Sequence, residues 1–180
     1  MKIASVADIK AHFSAYLRIA SQGPVVVTRS GKAVGVQWQE SESVAFVARG
    51  REYRSEFHTN PSDEVIYMIN GEMRLHYRTP SGREEIAAIP EGSVIRIPAG
   101  VPHSPRRAPD TFTFVLERKR HEGEIDRFHW FCQKCDALLH EETFIVKDYR
   151  DDPVSKAYQR FFENREFRTC KNCGEVMAAP

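Results

Sequence analysis

No apolar run in this sequence approaches the ~20 residues a membrane-crossing helix needs, and no signal-peptide core opens it. Charge of one sign is also missing. Lys and Arg number 26 against 25 Asp and Glu, a net of +1, so no overall field draws the chain to nucleic acid or an anionic surface. Internal repeats and low-complexity linkers are absent. Cysteine is scarce: the four present form two C-x-x-C pairs, Cys132/Cys135 and Cys170/Cys173. In a chain expected to be cytoplasmic, that spacing argues for metal rather than disulfides. Aromatics are plentiful enough to exclude disorder, and 180 residues suffice for one full core and a small appendage.

Three segments follow from the pattern. Residues 1–37 read as strand, helix and hairpin. Val6, Ile9, Phe13, Leu17 and Ala20 recur at helical spacing up to Gly23, and "PVVVTRSGKAVGV" places two β-branched runs around a turn. Residues 38–120 hold short strands at Val44–Val47, Val65–Ile69, Met73–Tyr77, Ile86–Ile89, Val94–Ile97 and Phe112–Leu116. The breaks "NG", "PSG", "PEG" and "PAG" separate them, with no helix between, which predicts an all-β jelly-roll barrel. Residues 121–180 form a tail with both cysteine pairs and a short helix after "DDP", its apolar side made of Val154, Ala157, Tyr158 and Phe161.

Chemistry concentrates in two places. His58 is followed six residues later by Glu64, and then by "GSVIRIPAGVPH" ending at His103. This arrangement resembles the two motifs of the cupin superfamily, which implies a mainly β fold, a cupin barrel between a small α/β N-terminal segment and a metal-clipped tail. Two imidazoles and a carboxylate are also a known donor set for Fe(II), leaving positions open for substrate and O₂. An even spacing lets His58 and Glu64 share one face of a strand, with Asp63 facing away. Where many cupins have a second His, this chain has Asn60, so three ligands are expected rather than four.

From Gln37 to about Cys173 the chain resembles the 3-hydroxyanthranilate 3,4-dioxygenase family. "YRSEFHTNPSDEVIYMINGEM", "IPEGSVIRIPAGVPHSPRR", "VLERKR" and "FHWFCQKC", with "CKNCG" beyond, carry the likeness. The resemblance implies a catalytic Fe(II) on His58, Glu64 and His103. It implies Arg54 securing the substrate and oxygen side, Arg107 binding a substrate carboxylate, and Glu117 contacting the amino and hydroxyl groups. Arg106 competes with Arg107, and side-chain direction decides between them. The partners implied are a small aromatic substrate and O₂; the product arises by opening the ring between C3 and C4. Cys132, Cys135, Cys170 and Cys173 become a rubredoxin-like clip for Fe or Zn.

Residues 1–37 depart from that pattern and resemble Phd/YefM-type antitoxins, which dimerise and bind operator DNA through this part. A homodimer is the expected consequence. The basic residues Lys2, Lys10, Arg18, Arg29 and Lys32 are a modest set for nucleic acid. The relatives also carry an Asn where this chain has Val36 or Gln37, which leaves a related o-aminophenol open as substrate. The alternative function is a ligand-sensing, DNA-binding regulator with a catalytically silent barrel.

Overall fold

The computed structural model describes residues 2–5, 25–29, 32–37, 43–51, 53–147 and 153–180, the first three stretches as backbone strands alone. Strands β1 (Lys2–Ser5), β2 (Val25–Arg29) and β3 (Lys32–Gln37) form a three-stranded sheet. β2 and β3 pair antiparallel, as the hairpin pattern predicts, whereas β1 runs parallel to β2. The expected helix of Val6 to Ala20 lies outside the described residues. No helix among the described residues is long and apolar enough to cross a membrane.

The barrel consists of two antiparallel sheets. One has four strands in the order β4 (Ser43–Arg49), β11 (Phe112–Arg118), β6 (Glu64–Asn70), β9 (Val94–Ile97). The other has six: β13 (Leu138–Phe144), β12 (Asp126–Phe131), β5 (Phe57–Thr59), β10 (His103–Arg107), β7 (Met73–Arg78) and β8 (Glu84–Ile89). Ile66 and Met68 on β6, Val115 on β11 and Ile97 on β9 meet Met73 and Leu75 on β7 and Ile89 on β8 to form the core between them. The mainly β, two-sheet architecture is thus as expected.

Alternation along these strands decides what reaches the interior. On β6 the buried row is Glu64, Ile66, Met68; on β11 it is Thr113, Val115, Glu117. Each row runs through the core and finishes on a carboxylate, and Glu64 and Glu117 sit directly opposite each other across the strand pair. Like charges so placed repel, so something in their surroundings must offset the repulsion.

Residues 121–180 are more than a tail. β12 pairs with β5, and β13 pairs with β12 to complete the six-stranded sheet. Behind it helix α1 (Pro153–Glu163) stacks Phe161 on Trp130 at 4.3 Å between ring centroids, within a cluster that also holds Phe128, Ala157 and Met177. A short helix α2 (Arg165–Arg168) then leads to the second cysteine pair.

Candidate metal and substrate site

The strands His58 and Glu64 belong to are different ones. His58 lies on β5 in the six-stranded sheet and Glu64 opens β6 in the four-stranded sheet. Even spacing along one strand is therefore not what brings them together, because the bend at residues 60–63 carries the chain from one sheet to the other. The two side chains converge all the same, since the sheets face each other. Asp63 points away, as expected: it accepts the Ala99 N–H at 2.9 Å and pairs with Arg96 at 2.6 Å, clamping the "PAG" turn. Gly100 in that turn is left-handed (φ 77°) and donates its N–H to the Asn60 carbonyl at 2.8 Å, which sets the approach to His103.

His58, Glu64 and His103 each bring a ligand atom within 4.8 Å of the others. His103 Nδ1 lies 2.9 Å from the Val101 carbonyl, so Nδ1 is the protonated nitrogen. That leaves the lone pair on Nε2, 3.3 Å from Glu64 Oε2. Burial alone would raise the Glu64 pKa; the His103, His58 and Arg54 side chains reverse this and hold it at about 2. An ionised carboxylate beside an imidazole lone pair is a donor set that fits a divalent metal of the Fe(II) type.

The cluster opens into a cavity of about 510 Å³. Arg54, Arg107 and Glu117 all line it, with Phe46, Ile66 and Val115 supplying apolar wall. On β10 the residues alternate, so His103, Pro105 and Arg107 face the cavity and Arg106 does not. Arg106 instead lies 4.0 Å from Glu84 and donates to Ser104 Oγ at 3.3 Å. Among the described residues Arg107 has no carboxylate partner. It donates to Thr113 Oγ1, its Nε has no hydrogen-bond partner, and burial followed by the charge of Arg54 lowers its pKa to about 10. Arg54, by contrast, has a carboxylate, Glu56, at 2.8 Å, an ion pair whose angles make no hydrogen bond. Glu117 is pushed up by burial, against the pull of Arg120, with Glu64 adding to the rise.

Several residues here have a part in the site that their sequence positions did not assign them. Asn60 stands in for the missing second His, yet it is buried and active in the network: its Nδ2 donates to Glu64 at 3.3 Å and Glu117 at 3.1 Å. Arg120 and Asp126 lie behind Glu117 and His58. Tyr158 of α1 donates to Glu56 and accepts the Ser55 N–H at 2.6 Å, tying the helix to the segment that carries Arg54. Phe144, Val146 and Val154, all beyond residue 120, close one side of the cavity.

The four cysteines assemble separately. Cys132 and Cys173 sulfurs lie 3.6 Å apart and Cys135 and Cys170 sulfurs 3.5 Å, near the ~3.8 Å edge of a tetrahedron drawn with ~2.3 Å metal–sulfur bonds. The two knuckles match: Asp136 N–H bonds the Cys132 carbonyl and Gly174 N–H the Cys170 carbonyl, both at 2.9 Å, and both residues are left-handed.

A family model described as 3-hydroxyanthranilic acid dioxygenase matches residues 33–162. The chain belongs to this family. A 3-hydroxyanthranilate 3,4-dioxygenase of Bacillus cereus is 42% identical over 142 residues, 79% of this chain and 79% of that one. Relatives of the same name from Shewanella woodyi and Podospora anserina are 36% and 37% identical, over 77% and 73% of this chain and 73% and 72% of theirs. Ring-cleaving dioxygenase relatives and two clusters of metal-ligand type together indicate a metal cofactor. The likeness of residues 1–37 to Phd/YefM-type antitoxins is not borne out. The dioxygenase match starts at residue 33, inside the β2–β3 hairpin assigned to that likeness, and the regulator alternative has no observation in its favour.

Proposed function

We propose that this chain opens the ring of 3-hydroxyanthranilate, or a close o-aminophenol, with O₂, using Fe(II) on His58, Glu64 and His103. The observation that carries the substrate class is Arg107: a half-buried guanidinium, its Nε fully buried, that has no carboxylate partner among the described residues and faces the cavity that the three metal-ligand side chains also face. A planar aryl carboxylate supplies the missing anion and matches the two-pronged geometry of the guanidinium. The names of the relatives support the same substrate.

Fe(II) held by His58, Glu64 and His103 would supply a common site for the substrate's hydroxyl and amino groups and for O₂, and a route for electrons between them. The protein's own part is positional and acid–base. Arg107 anchors the carboxylate, which fixes the ring's orientation. Glu117 takes the phenolic proton, and its buried position makes it a stronger base than an exposed carboxylate. Arg54, held by Glu56, places a second cation near the oxygen side. Phe46, Ile66 and Val115 exclude water from the ring. Cys132, Cys135, Cys170 and Cys173 hold a second ion, Fe or Zn, that stabilises the end of the chain.

The test is anaerobic loading with Fe(II), followed by 3-hydroxyanthranilate and air, measuring O₂ uptake and the semialdehyde absorbance. The expected result is one O₂ consumed per product, abolished in His58→Ala. Full iron occupancy without turnover of 3-hydroxyanthranilate or 2-aminophenol would refute the reading.

A further inference from the structure

Behind the cavity a single cation holds two carboxylates that serve different halves of the site. Arg120 is only 2% exposed and Asp126 only 1%. Arg120 grips Asp126 with both prongs, Nε to Oδ1 at 2.6 Å and Nη2 to Oδ2 at 2.8 Å. The same Nη2 donates to Glu117 Oε2 at 2.9 Å, and Nη1 is occupied by Ser62 Oγ at 2.9 Å and the Arg118 carbonyl at 3.0 Å. Asp126 Oδ2 in turn lies 2.7 Å from His58 Nε2. With Asn60 joining Glu117 to Glu64, a buried chain of contacts runs from His58 through Asp126, Arg120, Glu117 and Asn60 to Glu64.

Each link has a physical purpose. A carboxylate accepting the Nε2–H of His58 selects the tautomer whose lone pair is on Nδ1 and restrains the ring; carboxylate partners of this kind also raise imidazole basicity toward a metal. Glu117 faces Glu64 across β6 and β11, and that repulsion is offset by Arg120 on Glu117 and by the Asn60 amide that donates to both carboxylates. Buried and hydrogen-bonded on every prong, Arg120 is pre-organised to hold Glu117 at one angle.

We propose that Asp126 and Arg120 are positioning residues, Asp126 for the metal ligand His58 and Arg120 for Asp126 and Glu117 together. This rests on the proposed metal centre, so the test must separate the two. The probe is Fe(II) itself, by anaerobic dialysis against a chelator buffer, on full-length protein whose cysteine site has been filled with zinc. Wild-type binding that His103→Ala abolishes establishes the centre. Asp126→Asn then weakens Fe(II) binding by roughly 10- to 100-fold, measured at a temperature where circular dichroism shows the iron-free variant folded, since loss of a buried charge opposite Arg120 also lowers its thermal midpoint. Arg120→Met also weakens it. The double variant binds within about threefold of Asp126→Asn, because Arg120 acts on His58 through Asp126. If Arg120→Met does not fold, Arg120→Lys replaces it, with a smaller loss of affinity. Asp126→Asn binding Fe(II) within about twofold of wild type overturns the inference while leaving the metal centre intact. No Fe(II) site sensitive to His103→Ala in the wild type overturns both.

Discussion

Replacing Arg107 by Ala tests the substrate reading most directly, because Arg106 next to it is a built-in control. The lost grip comprises two charge-assisted hydrogen bonds, each worth about 1.5–3 kcal/mol. Part of that is returned, since the variant no longer holds a partly buried cation beside Arg54, a cost visible in the lowered pKa of Arg107. A net loss of about 3–4 kcal/mol is expected, or roughly 150- to 900-fold in kcat/KM. The carboxylate keeps its charge throughout ring opening, so the loss falls mainly on KM. Arg106→Ala removes contacts to Glu84 and Ser104 outside the cavity and changes kcat/KM by no more than about threefold. The assay is O₂ uptake against substrate concentration, repeated with 2-aminophenol. That substrate lacks the carboxylate and is nearly indifferent to Arg107→Ala. Equal damage from both arginine variants, or an equal effect of Arg107→Ala on both substrates, would refute the assignment.

Acidity offers a second test. Glu117 accepts a proton only when ionised, and burial raises its pKa, so activity falls as pH drops through that raised value. Arg120→Lys loses the fork that favours the carboxylate form, and the acidic limb of the kcat/KM profile shifts to higher pH. Glu64, held near 2, stays ionised throughout that range and contributes nothing to the limb. Trp130→Ala removes the ring stacked on Phe161 and leaves a cavity under α1, costing about 3–5 kcal/mol, readable as a lower urea midpoint. Asp136→Gly relieves a left-handed backbone that costs Asp about 1 kcal/mol but strips Arg78, 6% exposed, of its two-pronged partner at about 2–3 kcal/mol, since Asp136 is itself 54% exposed and water replaces it in part. The variant should therefore melt lower than wild type by differential scanning calorimetry.

Residue type and spacing alone determined a good deal. Two imidazoles and a carboxylate around a Pro-Ala-Gly turn, and two C-x-x-C pairs, are recognisable locally because metal ligation requires those atoms. The strand pattern was equally legible where β-branched residues cluster between turn signals, as in Val94–Ile97, which the structure reproduces. It failed at β10, whose "HSPRR" contains a proline and no β-branched residue. Counting in twos from His103 would have selected Arg107 over Arg106 once that strand was known. It also failed at β12, where the alternation Asp126, Phe128, Trp130 was present but hidden in an aromatic lead-in to Cys132.

The remaining features depended on tertiary structure because they join residues distant in the chain. His58 and Glu64 meet because two sheets face each other, and the six-residue interval between them is a change of sheet. Asp126 reaches His58 through the β5–β12 pairing, and Tyr158 reaches Glu56 through the docking of α1, across 68 and 102 residues respectively. Ligand identity is a property of side-chain chemistry, which a sequence states outright. The partners that orient those ligands are selected by strand order and burial, and these arise only when the whole chain folds.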